Sequence, residues 1–196
     1  DEGTSIYADA LCADGSSMVT EFIYWSDYYN SIISPFYSYS TGRTKETLRS
    51  SQVTCRDIDD DGYIEIPEDT SSKKQSSEIT SQNWVNYGNT VLSHKCYSFS
   101  CKRDGYILVI DDDDFSKVKA NYDSESRKLT IINKKNKSNV FEIVTLINSN
   151  YSVNDPKYKD YTMIMKNSGF VYLAKVNKSS DIDINIQTLK DMIKVY

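Results

Sequence analysis

The stretch from Lys128 to Ile147 reads KLTIINKKNKSNVFEIVTLI. Two runs rich in Ile, Val, Leu, Thr and Phe flank the polar segment Asn133 to Asn139, a composition typical of two β-strands joined by a turn. A parallel crossover needs a dozen or more residues, so a connector this short requires antiparallel neighbours. The stretch therefore predicts an antiparallel sheet.

The same pattern of short apolar runs and polar turns extends along most of the chain. Further strands are predicted at Ser5–Leu11, Met18–Trp25, Trp84–Leu92, Cys96–Ser100, Tyr106–Ile110, Lys117–Tyr122 and Phe170–Val176. Helical spacing of Ile186, Leu189, Ile193 and Tyr196 predicts a C-terminal helix that covers one face of the sheet. The predicted fold class is α+β: an N-terminal β unit, then a mostly antiparallel sheet covered by that helix.

The polar segment from Asp69 to Ser81 predicts a division of the chain. It is almost free of apolar side chains, which is typical of a linker or a long exposed loop. We therefore expect a β unit over residues 1–70, a linker or exposed loop over 71–81, and an α+β domain over 82–196.

The overall composition excludes some classes of function. The chain has 196 residues, 39% of them hydrophobic, with 23 Lys and Arg against 28 Asp and Glu. The net charge of −5, without a basic block, argues against nucleic acid, because phosphate neutralisation supplies most of the affinity for it. Every apolar run is shorter than the roughly 20 residues of a transmembrane helix, so no transmembrane segment is expected.

The segment Asp57–Glu68, DIDDDGYIEIPE, carries the clearest chemical signal. It matches the D-x-D-x-D-G calcium loop, in which alternate carboxylates converge on one side of a tight coil and glycine permits the sharp turn. The predicted ligands of a structural calcium ion are Asp57, Asp59, Asp61, the backbone carbonyl of Tyr63, and Glu65 or Glu68.

Only the loop of this segment is EF-hand-like. Pro67 and the strand-like residues before it disfavour the helix that leaves an EF-hand loop. A lone exposed site of this kind binds calcium at roughly 10⁻⁴ to 10⁻³ M, which suits extracellular calcium. The alternative is an acidic surface turn that holds no metal.

The four cysteines, Cys12, Cys55, Cys96 and Cys101, bear on the compartment. With no Cys-x-x-Cys pair and His94 as the only histidine, a zinc site is poorly supported, and disulfides are expected. Of three connectivities, the close spacing of Cys96 and Cys101 favours their pairing, with Cys12–Cys55 as the complement. Disulfides imply a secreted or cell-surface protein, whereas four reduced thiols in a cytosolic protein are the alternative.

The Asp57–Pro67 segment, preceded by the strand Ser17–Trp25, resembles the calcium-loop repeats of FG-GAP/VCBS β-propeller proteins. It is particularly similar to uncharacterised secreted lipoproteins of Gram-positive bacteria. The resemblance covers residues 1 to about 68 and implies a structural metal at Asp57, Asp59 and Asp61, with Glu65 where such loops often place a further acidic ligand.

One such loop cannot form a propeller, so the resemblance implies the end of a longer protein or a free-standing relative. The second half of the chain is faintly similar to a PsbP-like α+β fold, without a diagnostic motif. The chain opens at Asp1, which leaves open an upstream signal peptide, a lipid-anchor segment or a further domain.

Tyrosine is unusually frequent, at 16 of 196 residues, and is dense between residues 24 and 39. These rings form either an exposed platform for a glycan or a protein, or the filling of a small β core. The candidate ligand-binding residues are Trp25, Tyr28, Tyr29, Tyr37 and Tyr39. The stretch Ser26–Thr47 that holds most of them is expected to be a loop with at most one helical turn.

The predicted function is an extracellular or cell-surface binding module with a structural calcium site. One alternative is a small secreted hydrolase that uses carboxylates or His94, and another is a purely structural domain of a larger envelope protein. We assign no catalytic residues, because the sequence lacks a Gly-x-Ser-x-Gly elbow and no local signature selects a pair of acids. The run Asp111–Asp114 indicates a solvated turn or a helix N-terminus.

Overall fold

The computed structural model describes residues 5–70, 78–88, 90–152, 155–177 and 182–196. Within these ranges, strands dominate. They are β1 (Ser5–Leu11), β2 (Met18–Ser26), β3 (Ser31–Ile33), β4 (Tyr37–Ser38), β5 (Arg43–Thr44), β6 (Ile66–Asp69), β7 (Ile79–Gly88), β8 (Val91–Cys101), β9 (Tyr106–Ile110), β10 (Val118–Asp123), β11 (Lys128–Asn133), β12 (Asn139–Ile147), β13 (Thr162–Lys166), β14 (Phe170–Val176) and β15 (Ile193–Val195). The helices are α1 (Asp112–Lys117) and α2 (Ile186–Met192), with single 3₁₀ turns at Asn148–Asn150 and Pro156–Tyr158.

The α+β prediction is wrong, because the fold is mostly β and resembles a β-sandwich. Four sheets are present in the described residues, with strand orders β1-β2-β3, β4-β5, β10-β11-β12-β14-β13 and β15-β9-β8-β7-β6. The two helices have six and seven residues and are too short to form a layer of their own. The antiparallel pairing predicted from short connectors is confirmed in every strand pair described.

The predicted C-terminal helix is shorter than its spacing indicated. Asn185 caps α2 by accepting hydrogen bonds from the N–H groups of Gln187 and Thr188, and the helix ends at Met192. The next residues, Ile193–Val195, form β15 and pair with β9, so that Ile193 lies opposite Leu108. The β-branched Ile and Val favour a strand there, and the open edge of β9 supplies the partner.

The described residues fall into two compact units. Unit 1 comprises the residues up to Ser71 together with Gln82–Cys96, and unit 2 comprises Ser72–Ser81 together with Tyr97–Tyr196. Residues 82–96, which the composition assigns to the second domain, therefore group with the N-terminal residues. Within the predicted linker, residues 71–77 lie outside the described residues and Ile79–Ser81 already belong to β7.

Unit 2 buries one core between two sheets. Alternate residues of β8 and β9, such as Phe99, Tyr106 and Leu108, pack in the same cluster as Leu129 of β11 and Tyr172 of β14. Strands β9, β11, β12 and β14 coincide with their predicted bounds. β13 was not predicted from the sequence. It lies at the edge of its sheet and is recognised as a strand by its pairing with β14.

A buried carboxylate fixes the β8–β9 turn of unit 2. Asp104 accepts hydrogen bonds from the Tyr122 hydroxyl at 2.8 Å and from Arg127 Nε at 2.7 Å. The hydroxyl of Tyr172 donates to the backbone carbonyl of Asp104 at 2.8 Å. These bonds join the turn to β10, to the β10–β11 turn and to β14 of the same unit, and they satisfy a fully buried carboxylate.

The N-terminal hairpin forms as predicted. β1 and β2 pair from Ser5 opposite Tyr24 to Leu11 opposite Met18. Asp14 Oδ1 accepts from the N–H groups of Ser16 and Ser17 in the connecting turn. On the inner face of the sheet, Phe22 packs with Phe36, Ile66 and Val85 as the core of unit 1.

A buried ion pair anchors the next segment to this hairpin. Arg49 is buried, and its Nη2 lies 2.7 Å from Asp9 Oδ1 on β1. Its other nitrogens donate to the Thr20 hydroxyl at 2.9 Å and to the Val53 carbonyl at 2.8 Å. Asp9 Oδ2 accepts from the Cys55 N–H at 2.7 Å. Burial raises the pKa of Asp9, but hydrogen bonds from Thr20, Cys55 and Arg49 outweigh it and hold that pKa below its usual value.

The predicted disulfides are corrected by the structure, in which all four cysteines are thiols. Cys96 and Cys101 lie in the same strand, β8, where five residues at about 3.3 Å each separate them by roughly 16 Å, against a limit of about 7 Å for a disulfide. Cys55 is hydrogen-bonded to Asp9 and forms no disulfide with Cys12. Burial and the nearby Asp9 carboxylate raise the pKa of the Cys55 thiol to about 12. The cysteines therefore give no support for an oxidising compartment.

We predict that Arg49→Met destabilises unit 1 by about 3–5 kcal/mol, because Asp9 keeps its charge in a largely buried position without its partner. The measurement is the free energy of unfolding in urea. Arg43→Met removes the same charge from an exposed residue of β5 and is expected to change stability by less than about 0.5 kcal/mol. Equal effects of the two substitutions would contradict the anchoring role.

Candidate metal centre

Residues Asp57 to Glu65, called the acidic loop from here on, form a tight coil in unit 1. Asp57 organises it, because its Oδ1 accepts from the Asp61 N–H at 3.1 Å and its Oδ2 from the Gly62 N–H at 2.9 Å. Gly62 has φ +89°, in the left-handed region where a side chain is strained. The coil predicted from the D-x-D-x-D-G spacing is therefore present.

Three carboxylates of the acidic loop converge. One oxygen from each of Asp57, Asp59 and Asp61 lies within 4.8 Å of the others. Calcium binds oxygen at 2.3–2.6 Å, so two of its ligands lie at most about 5 Å apart. The spacing of the three oxygens fits an ion placed among them.

Glu65 places a further carboxylate at the end of the acidic loop, outside the group of three converging oxygens. Its backbone exchanges two hydrogen bonds with Arg56, which closes the base of the loop. The side chain is fully buried: Oε2 accepts from the Ile58 N–H at 3.0 Å, whereas Oε1 is buried without a hydrogen-bond partner. Burial raises the pKa of Glu65, and the nearby charges of Asp59 and Asp61 raise it further, against the opposing effects of the Ile58 N–H and Lys95.

An ammonium group also reaches the acidic loop. Lys95, on β8, places Nζ 3.2 Å from Asp59 Oδ2 and donates a hydrogen bond to Asp61 Oδ2. Hydrogen bonds to Asp61 and Asp59 raise the pKa of Lys95. Sequence reasoning missed this residue because it lies 34 positions after Asp61, and nothing in its local sequence points to the loop.

The structure separates the two glutamates that the sequence left as alternatives. Glu65 faces the acidic loop, whereas Glu68, three residues later in an extended segment, accepts a hydrogen bond from Asn83 Nδ2 on β7 at 2.9 Å. Pro67 lies inside β6, opposite Trp84, rather than at the end of a strand. Tyr63 donates its N–H to Asp61 Oδ1, and the role of its carbonyl as a ligand stays a prediction.

The residues considered for other chemistry lie apart from this cluster. His94 is exposed, and its Nδ1 contacts the amide oxygen of Asn83. The run Asp111–Asp114 forms the N-terminal part of α1, where Asp114 pairs with Lys117 at 3.2 Å.

The aromatic residues of unit 1 divide between core and surface. Phe22, Phe36 and the partly buried Tyr24 contribute to the core. The five candidate ligand-binding residues are exposed, from 39% for Tyr37 to 88% for Tyr28. They are Trp25, Tyr28, Tyr29, Tyr37 and Tyr39. Two edge-to-face pairs occur among them, Tyr28 with Tyr29 and Tyr37 with Tyr39, in a stretch that forms three short strands and no helix.

Comparison with protein families, with curated proteins and with solved structures finds no match. The resemblance to FG-GAP/VCBS calcium loops and to secreted lipoproteins therefore stays a prediction. Across the described part of the chain, no helix combines the length and the apolar character needed to cross a membrane.

We predict that Glu65→Gln raises the free energy of unfolding in chelator by about 1–2 kcal/mol, because it removes a buried charge with an unsatisfied oxygen. The new amide keeps an acceptor for the Ile58 N–H. Chemical unfolding in excess chelator measures the change, and Glu68→Gln is the matched control, with an expected effect below about 0.5 kcal/mol. A loss of stability in Glu65→Gln under these conditions would show that the oxygen is satisfied in the protein alone.

Proposed function

We propose that the protein is an extracellular or cell-surface binding module in which one calcium ion stabilises unit 1. Asp57, Asp59, Asp61 and Glu65 supply the ligands. The buried, unpartnered Oε1 of Glu65 carries this proposal, because a buried carboxylate oxygen without a partner is costly unless a cation or a donor satisfies it.

The donor set favours calcium over other metals. All four candidate side chains offer hard carboxylate oxygens, whereas zinc and copper sites use imidazole or thiolate. Magnesium demands a near-ideal octahedron at 2.0–2.1 Å and retains several waters, so a loop that supplies four protein carboxylates suits the larger, more flexible shell of calcium.

A bound ion would act on the stability of unit 1. The acidic loop follows the segment that Arg49 anchors and precedes β6, whose first residue, Ile66, belongs to the unit 1 core. Calcium would draw Asp57, Asp59 and Asp61 toward Glu65 and so join the two ends of the loop. A ligand that binds only the folded state raises its stability with concentration.

We expect calcium to raise the Tm of unit 1 by about 5–10 °C when free calcium is about 100-fold above its Kd, since mass action then contributes about 2.7 kcal/mol. Thermal unfolding in calcium, in magnesium and in excess chelator measures this change. Asp59→Asn is expected to abolish most of the increase. Asp60→Asn removes the same charge at a loop position outside the ligand cluster, where φ is +63° and Asn is tolerated, and is expected to keep it.

Two outcomes of that experiment would contradict the calcium proposal. One is an unchanged Tm in millimolar calcium for the unsubstituted protein. The other is an equal increase in calcium for Asp59→Asn and Asp60→Asn, which would indicate general screening of the acidic surface rather than ligation.

The exposed aromatic residues support the binding role. Tyr28 and Tyr39 are 88% and 83% exposed, although each ring carries a large apolar area that folding usually buries. A ring with a hydroxyl at its edge offers a flat apolar face and a hydrogen-bonding group at a low cost in conformational entropy. This combination suits stacking against the rings of a polysaccharide.

We expect the protein to sediment with an insoluble polysaccharide from a panel of cellulose, chitin, xylan and peptidoglycan, with a Kd in the micromolar to millimolar range. The double substitution Trp25→Ala and Tyr28→Ala is expected to weaken binding at least tenfold, since these rings supply the apolar contact. Tyr196→Ala, at an exposed tyrosine of unit 2, is the control and should leave binding unchanged. Absence of binding to every member of the panel would contradict a polysaccharide ligand and leave a protein partner to be tested.

A further inference from the structure

Lys95 has a role in the acidic loop that neither the calcium-loop pattern nor the predicted ligand set includes. Its ammonium group contacts Asp59 Oδ2 at 3.2 Å and hydrogen-bonds to Asp61 Oδ2. Both aspartates belong to the cluster of converging oxygens. The lysine charge therefore lies against two of the three carboxylates that calcium would bind.

The charges of the cluster explain why a lysine is placed there. The acidic loop holds five acidic residues in nine positions, Asp57, Asp59, Asp60, Asp61 and Glu65. Carboxylates this close repel one another, and the ammonium of Lys95 offsets part of that repulsion when no metal is bound. It reaches the loop from the first half of β8, which belongs to the same unit, on a flexible four-carbon stem that can withdraw.

We propose that Lys95 is an internal competitor of calcium: its ammonium stabilises the acidic loop without metal and must leave Asp59 and Asp61 when calcium binds. The inference rests on the calcium site proposed above. Its consequence is a lowered affinity, so that the site fills only at the high calcium concentrations of the extracellular space and the loop remains folded when calcium is scarce.

A competitor differs from an ordinary structural ion pair in one measurable respect. Loss of a structural pair lowers stability to the same extent with and without calcium. Loss of a competitor lowers stability without calcium, because the carboxylates lose their counter-charge, but raises the affinity for calcium, because the ion no longer displaces an ammonium. The two effects have opposite signs, so the stability difference between variant and unsubstituted protein shrinks toward zero as calcium increases.

The experiment compares Lys95→Met with the unsubstituted protein and with Lys45→Met, which removes the same charge from an exposed residue of unit 1 outside the acidic loop. Calcium is titrated into chelator-treated protein by calorimetry at constant ionic strength, and Tm is measured in chelator and in saturating calcium. We expect Lys95→Met to bind calcium about tenfold more tightly, to melt below the unsubstituted protein in chelator, and to reach its Tm in calcium. Lys45→Met is expected to change the affinity less than twofold.

The outcomes separate this inference from the proposed function. If all three proteins bind calcium with equal affinity, the calcium site stands and the competitor role of Lys95 is overturned. If none binds, the calcium site itself is overturned, and the inference falls with it.

Discussion

The guanidinium group of Arg49 is buried inside unit 1. It forms an ion pair with Asp9 and donates hydrogen bonds to the Thr20 hydroxyl and the Val53 carbonyl. A guanidinium group removed from water is tolerated only when its donors are satisfied, and here the partners come from β1, from β2 and from its own segment. The segment that leads into the acidic loop is thereby held against the hairpin. The position of the candidate metal centre depends on this one buried pair.

The acidic loop shows a conflict between burial and charge. Both carboxylate oxygens of Asp57 accept hydrogen bonds from the loop backbone. Asp61 accepts one from the Tyr63 N–H and one from the Lys95 ammonium. Among the carboxylates of the acidic loop, Glu65 is the one with a buried oxygen that has no hydrogen-bond partner. A cation among these groups would relieve the repulsion, and Lys95 supplies part of that relief from within the chain. Lys95 is therefore the cation that the structure itself places beside the acidic loop.

Local sequence predicted strands far better than it predicted how they are assembled. Runs such as Asn139–Ile147 are apolar and β-branched over their full length, so their bounds follow from composition alone. The predicted disulfide and the full length of the predicted helix were wrong for a common reason. Closeness or periodic spacing in the sequence does not fix the distance between residues in the folded chain. Cys96 and Cys101 are close in sequence but lie along one extended strand, and Ile193 fits a helical face yet pairs with Leu108 of β9. Partners distant in sequence decide such cases.

The sequence by itself determined most of the longer strands, the antiparallel pairing of strands joined by short connectors and the coil of the acidic loop, because each depends on residues within about a dozen positions of one another. It also brought Asp57, Asp59 and Asp61 together, since their spacing alone places them on one side of the coil. Only the tertiary structure decided that Glu65 is buried with one unpartnered oxygen whereas Glu68 bonds to Asn83, that Lys95 contacts Asp59 and Asp61, and that Arg49 anchors the segment before them. Those three outcomes depend on which side chains are buried and on contacts between distant segments, which local pattern does not encode.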